Sequence, residues 1–188
     1  MHFGVPRGSW SRARDAPPGP PPLRSIECVM GLADLSAKDQ AKVDLGNCMM
    51  SFSVSCLHVC RRMRISGAMG NPATSRIWLA PAVVSLARSP ASQVVATDFC
   101  QFGTPWGKRA KFLGALIDLS SIEKLCKRKN NVCSASQRLH LNLQGKNSEG
   151  RFWTEVAEPC PPRLCLALAL AFSEAPIALK AQGMARHL

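Results

Sequence analysis

Gln93-Val94-Val95-Ala96-Thr97-Asp98-Phe99-Cys100-Gln101-Phe102 is a run of β-branched and aromatic residues, and Lys111 to Leu116 forms a second apolar stretch beyond the turn-rich segment Gly103 to Arg109. Side chains of these types fit a pleated, half-buried surface, so the two runs predict adjacent strands joined across residues 103–109. Upstream, Pro81 suits the first turn of a helix that reaches Ala87 and is closed by Pro90. Before it, a short strand ending at Asn71 leads through Pro72 into Thr74 to Leu79.

Further out, Ser36 with Asp39 three residues on makes an imperfect capping box for a helix over residues 38–64. Leu45, Cys48, Met49, Phe52, Cys56, Val59, Cys60 and Met63 recur along it at helical spacing and predict its buried face. Arg61, Arg62 and Arg64 suit its negative pole, and Gly67 can stop it. His2 to Pro6 can close an earlier strand, and the proline-rich run 17–22 forms a loop or extended arm because proline lacks an amide donor. Downstream, Leu119 to Cys126 predicts a short helix, residues 130–150 are polar and turn-rich with a strand at Leu139 to Leu143, and Pro161-Pro162 opens a last helix to about Phe172. The order strand, helix, strand, helix, strand, strand predicts an α/β fold: the C-terminal half of an open Rossmann-like sheet with flanking helices, over residues 1–175 with a Pro/Arg-rich loop within 1–37. Residues 176–188 are expected to be a flexible tail.

Lys and Arg number 24 against 12 Asp and Glu, so the formal charge of +12 favours anionic partners, although a merely solvated basic surface gives the same total. The longest apolar run, Leu164 to Phe172, is far shorter than the roughly 20 residues that span a bilayer, so no membrane span is expected. Nine cysteines, an odd number at irregular spacings, behind an opening that has Arg7, Arg12 and Arg14 but no apolar h-region, fit reduced thiols inside a cell better than a secreted disulfide framework.

Four stretches carry a resemblance in their wording: His2-Phe3-Gly4-Val5-Pro6 with Ser9-Trp10-Ser11-Arg12-Ala13-Arg14; Gly19-Pro20-Pro21-Pro22-Leu23-Arg24; Asn71-Pro72-Ala73-Thr74-Ser75-Arg76-Ile77-Trp78; and Thr97-Asp98-Phe99-Cys100-Gln101-Phe102-Gly103-Thr104-Pro105-Trp106. In this order, over roughly residues 2–170, the chain resembles a methyltransferase-like family related in layout to C5-cytosine DNA methyltransferases, beginning at the fourth strand of that layout. The resemblance implies a nucleophilic cysteine after a proline and a later Glu-Asn-Pro or Glu-Asn-Val word whose carboxylate holds the base edge. Here the matching positions read Pro6-Arg7 and Gly70-Asn71-Pro72. Arginine has no nucleophilic atom, so covalent attack from position 7 is excluded. S-adenosylmethionine, the methyl donor the resemblance implies for a full-length relative, needs a glycine-rich turn after a first strand, and no two glycines here are spaced Gly-x-Gly. A sheet beginning at that point exposes an edge and an apolar face that a partner chain can complete.

Three other constellations carry chemistry. Cys126, Cys133 and His140, spaced Cys-x6-Cys-x6-His beside Lys124, Lys127, Arg128 and Lys129, offer three ligands for a structural zinc, with Cys160 or Cys165 as the fourth; the alternative is a turn-rich loop with unpaired thiols. Cys56 and Cys60, four apart on a helix with His58 pointing elsewhere, read as core thiols. Trp106 with Lys108, Arg109 and Lys111, together with Arg12, Arg14, Arg24 and Arg76, would contact phosphates and stack on bases; the competing reading packs Trp106 on the sheet edge and leaves the cations in solvent. Ser9 and Ser11 have no His and acid partners nearby in sequence, so they are not read as nucleophiles. Two functions follow as expectations: an inactive, degenerate piece of a DNA cytosine methyltransferase-like protein or of a decayed gene, and a non-catalytic basic module that binds nucleic acid. Either is expected inside the cell, the nucleus being where a DNA partner lies.

Overall fold

The computed structural model describes residues 1–15 and 19–184, with side chains as far as Ala175. Strands β1 (His2–Gly4), β2 (Gly67–Pro72), β3 (Ser92–Asp98) and β4 (Arg109–Ala115) form one open mixed sheet in the order β1-β2-β4-β3. β1 and β2 run parallel, with Gly4 opposite Gly70, while β4 is antiparallel to both β2 and β3. The parallel pair requires a crossover, and α1 (Ala37–Arg62) supplies it. The expected strand pair is thus β3 and β4, but the first ends at Asp98: Phe99–Phe102 turns into a 3-10 helix closed by Gly103 at φ +93°. β-branched and aromatic side chains signal burial there, not extension, since Phe99, Cys100 and Phe102 are all buried in the turn.

Alternation along β4 sends its side chains to two different cores. On one face Met69, Leu113 and Ala115 pack with Met50, Val54 and Leu57 of α1 and with Ile77, Val83 and Leu86 on and before α2 (Pro81–Ala87). On the other face Val95, Ala110 and Phe112 meet Phe99, Phe102, Leu119 and Ile122 and, from α4 (Pro162–Met184), Leu164, Leu168, Ala171 and Ala175. The fold is therefore mixed α/β with helices on both faces of a four-stranded sheet.

Ser36 caps α1 as its position suggests, accepting from the Asp39 amide at 3.2 Å. Its buried face differs from the expected stripe: Val43, Gly46, Met50, Ser53, Val54, Leu57 and Cys60 turn inward, while Leu45, Phe52, Val59 and Met63 are exposed. Gly46 and Ser53 hide this face from a count of apolar residues, and Gly46 is what allows close approach: a Cβ there would sit 2.4 Å from Ser9 Oγ. Of the two cysteines read as core thiols, Cys60 is buried and Cys56 half-buried. The helix ends at Arg62, with Arg64 at φ +54° in the left-handed position and Gly67 already in β2.

The segment around the proline run is not an extended arm. Trp10 is fully buried and donates to Gly46 O, and Arg24 lies 3.5 Å over its indole ring. Leu23 is buried alongside. Pro17 and Pro18 lie outside the described residues. Downstream, the helix expected over residues 119–126 shrinks to a 3-10 turn, Ser120–Ile122, and the strand expected at Leu139 to Leu143 to a single bridge between Val132 and Leu139. A short helix, α3 (Trp153–Val156), follows. α4 runs past Phe172, and residues 185–188 of the expected tail lie outside the described residues. Among the described residues no helix is long and apolar enough to cross a membrane.

Candidate functional site

Parallel strands of an open sheet leave a crevice beyond their carboxyl ends, the usual place for a ligand. Here β1 leads into Val5-Pro6-Arg7 and β2 ends in Asn71-Pro72, and a cavity of about 340 Å³ opens there, lined among others by Arg7, Gly70, Asn71, Phe99, Lys108 and Phe112. Positions 7 and 70, far apart in sequence, therefore face one space. Arg7 is not free within it: one guanidinium nitrogen donates to Glu158 O at 2.8 Å and another lies 3.8 Å from the Glu158 carboxylate. Lys108 Nζ donates to Ala157 O from the same segment. Burial, with Arg7 nearby, brings the Lys108 ammonium down to about 8. The two cations thus tie residues 157–158 across the cavity.

Gly70 has its own consequence. A Cβ at this position would lie 2.7 Å from Cε1 of Phe112 and 3.3 Å from the His2 ring, so the absent side chain is what lets Phe112 rest against the strand. Asn71 donates to Val5 O at 3.0 Å, joining the ends of β1 and β2, while its Oδ1 is buried without a protein partner. Position 7 offers no thiol and position 70 no carboxylate; the thiol and carboxylate that do line the cavity, Cys160 and Glu158, come from the segment before α4. In the turn leaving β1, Val5-Pro6-Arg7-Gly8, Pro6 has no amide to offer a ligand and Arg7 lines the cavity.

Several residues expected to meet nucleic acid are engaged inside the protein. Arg24 is buried and donates to Ser9 O, Ser9 Oγ, Val29 O, Asn47 Oδ1 and Val43 O, and burial lowers its guanidinium to about 10; it presents no face to a partner. Arg76 makes a two-pronged pair with Asp15 at 2.9 Å, and Arg12 and Arg14 lie near Asp15 and Asp39. Arg109 grips Asp98 with two bonds of 2.9 and 2.7 Å. Lys111 is half-buried on β4, and Trp106 is half-buried with its indole N–H enclosed and unpartnered. Two of the stretches that carry the resemblance hold one another, Arg76 binding Asp15 at the edge of the other and Ser75 donating to Trp10 O, while Trp78 donates to Pro72 O within its own stretch.

Among the exposed cations outside that set, Lys124, Lys127, Arg128, Lys129 and Arg138 fall together in one stretch of chain. Among the described residues the salt bridges use Arg7, Arg12, Arg14, Lys42, Arg76, Arg109 and Arg151, and none of these five. They sit on a hairpin whose turn, Asn130-Asn131, has φ of +49° and +61°, values that asparagine tolerates better than most residues. Leu141 N donates to Pro105 O at 2.7 Å, which sets the hairpin beside Trp106. Density of charge in residues 124–129 is visible in the sequence; its freedom from pairing is not.

The same hairpin carries a buried cluster. Cys126 Sγ lies 4.0 Å from Cys133 Sγ and 3.9 Å from His140 Nε2, and with Cys100 the four ligand atoms all fall within 4.8 Å of one another. Cys126, Cys133 and His140 are thus brought together, but their fourth neighbour is Cys100 from the turn after β3. Cys160 and Cys165 instead sit near each other at the start of α4, Cys165 Sγ pointing to Cys160 O. Burial, with Cys126 and Cys133 close by, pushes the Cys100 thiol up to about 12. Burial also acts to raise Cys133, but the amides of Ser136 and Ala135, the Ser136 hydroxyl and His140 outweigh it and bring that thiol down to about 6.

Comparison with protein-family models, with curated proteins and with solved structures finds no match to this chain.

Proposed function

We propose that the chain is a non-catalytic nucleic-acid-binding module built on the second half of a methyltransferase-like sheet. The observation that carries the binding reading is the set of five exposed, unpaired cations, Lys124, Lys127, Arg128, Lys129 and Arg138, on one hairpin beside Trp106. Phosphates attract such a cluster with little dependence on sequence. The sheet order supports descent from a methyltransferase-like layout, since its one parallel pair ends where the Pro6-Arg7 and Gly70-Asn71-Pro72 words face a common cavity. The loss of chemistry follows from the residues there: a guanidinium replaces the nucleophile, and Phe112 occupies the approach to position 70.

Fluorescence anisotropy on a labelled DNA duplex at a series of salt concentrations tests the binding reading. Affinity should fall steeply with salt, and the triple change Lys127→Ala, Arg128→Ala, Lys129→Ala should flatten the slope by about 0.9 for each phosphate no longer neutralised. Absence of binding at low salt, or a slope that the triple change leaves alone, overturns it. Methyl transfer from S-adenosylmethionine to the same duplex is expected to be nil; turnover would overturn the non-catalytic part.

A further inference from the structure

From Glu123 to Val156 the chain is almost without regular structure, and its buried residues are three: Cys126, Cys133 and His140. Leu125, Leu139, Leu141 and Phe152 are exposed, and Val132, Leu143, Trp153 and Val156 are only half-buried, so no apolar side chain of the segment is fully enclosed. A segment of this length cannot recover its conformational entropy from two small thiols and an imidazole packed on one another. Nor do these groups satisfy each other as hydrogen-bonding partners, because S···S and S···N separations near 4 Å are weak contacts, and His140 Nδ1 is buried without a protein partner. The only other buried thiol in the cluster, Cys100, comes from the sheet side.

We propose that Cys100, Cys126, Cys133 and His140 bind one structural zinc ion that clasps the basic hairpin to the end of β3. Zinc prefers a tetrahedron of thiolate and imidazole ligands, and Zn–S bonds of about 2.3 Å place neighbouring sulfurs about 3.8 Å apart, close to the 4.0 Å between Cys126 and Cys133. That distance is far outside the roughly 2.05 Å of a disulfide. Four protein ligands close the coordination sphere, so the ion holds structure and has no open position for catalysis. Its surroundings suit thiolates: Ser134 N and Oγ donate to Cys126 Sγ at 3.4 and 3.6 Å, and Gln101 Nε2 donates to Cys100 Sγ at 3.6 Å. Three thiolates and a neutral imidazole leave the loaded site with one net negative charge, set among Lys124, Lys127, Arg128 and Arg109. Asp98 braces the arrangement from below by accepting from the Cys126 amide at 2.7 Å while paired with Arg109. Three sulfurs and one imidazole nitrogen in a tetrahedron are soft ligands, which select zinc over hard cations such as magnesium.

The full chain, purified under reducing conditions, should carry one zinc ion by elemental analysis. Replacement with cobalt(II) should give the thiolate charge-transfer band and the intense ligand-field bands of a tetrahedral site. Cys100→Ser should weaken metal binding by more than about a hundredfold, beyond what loss of a supporting hydrogen bond does. Because that variant can fail to fold, His140→Cys serves beside it: four ligands remain, the metal stays, and the cobalt bands move to lower energy as a fourth sulfur enters. Cys165→Ser and Cys28→Ser should change nothing. The proposal is overturned if the wild-type chain neither retains zinc nor gives the cobalt charge-transfer band, if His140→Cys leaves the spectrum where it was, if Cys165→Ser abolishes it as fully as Cys100→Ser, or if mass spectrometry finds a Cys126–Cys133 disulfide under reducing conditions. DNA binding is read separately, so either result leaves the nucleic-acid proposal to its own test.

Discussion

Between Val5 and Ile122 the interior is mostly hydrocarbon, with Met50, Leu57, Ile77 and Leu113 on one face of the sheet and Phe99, Phe112 and Leu119 on the other, and Arg24 and Asp98 as its buried charges. Between Glu123 and Val156 the interior is two thiols and an imidazole. The first region is held by area removed from water, a non-directional attraction spread over many side chains. The second removes much less such area, so directed bonds carry more of its order. Stability in the two regions is therefore expected to fail separately.

Metal removal gives the largest expected contrast. In the zinc-loaded chain, chelation should bring the amides of residues 123–152 to unprotected hydrogen-exchange rates while those of β2, β3 and β4 stay slow, because apparent binding free energies of structural zinc, about 10–16 kcal/mol in small domains, are folding energies for the piece they hold. Simultaneous loss of protection in both regions would show that the sheet depends on the hairpin after all.

Second in size is Arg24→Ala, which acts wholly inside the hydrocarbon region. It leaves acceptors from Ser9, Val29, Val43 and Asn47 without their donor and strips the cation from the face of Trp10. With each unsatisfied buried group costing about 1–3 kcal/mol, some of it recovered by entering water, a global loss of about 4 kcal/mol is expected in denaturant titration. Zinc content of the fraction still folded should not change. A loss below about 1 kcal/mol, the size of an ordinary surface substitution, would mean that Arg24 behaves as a surface cation.

Gly70→Glu ranks third. An acidic side chain there forces the Phe112 ring off β2, at a cost of about 1–3 kcal/mol for overpacking, visible as a lowered Tm. It should restore no methyl transfer, since Arg7 still stands at the end of β1. An unchanged Tm would mean that Phe112 moves freely and that position 70 is not closed.

The two regions also differ in how legible they are from sequence. β2, α2 and the β3–β4 pair follow from proline punctuation and β-branched runs, signals that local backbone chemistry imposes. The buried side of α1 escapes such a reading because apolar residues stand all round that helix; what selects the inner face is the smallness of Gly46 and Ser53, which matters only once Trp10 and Arg24 are packed against it. Three cluster residues are visible as a spaced set, but Cys100 lies within a run that reads as strand to Phe102. A 3-10 turn after Asp98 is what aims it at the hairpin, and no periodicity announces such a turn. The freedom of Lys124 to Lys129 is illegible for a related reason: whether a cation is paired depends on carboxylates, such as Asp15 and Asp98, that arrive from distant parts of the chain.

A third kind of contact, neither hydrocarbon nor ligand cluster, joins the N-terminal wrap to the sheet: the pair of Asp15 with Arg76, both bonds at 2.9 Å. Hydrogen bonds from Arg76 hold the Asp15 carboxyl below its ordinary 3.8, against the opposing effect of burial and with help from Arg12. A carboxyl whose folded value is depressed stabilises the protein at pH above its unfolded value and loses that contribution as pH falls through the folded one. Asp15→Asn should therefore lower stability by about 0.5 kcal/mol at neutral pH, the range of exposed pairs, and the two proteins should converge in Tm as the pH is taken below about 3. The difference should also shrink in high salt, because solvent and ions reach this pair. A gap that persists at low pH would mean that Asp15 acts through packing and not through its charge.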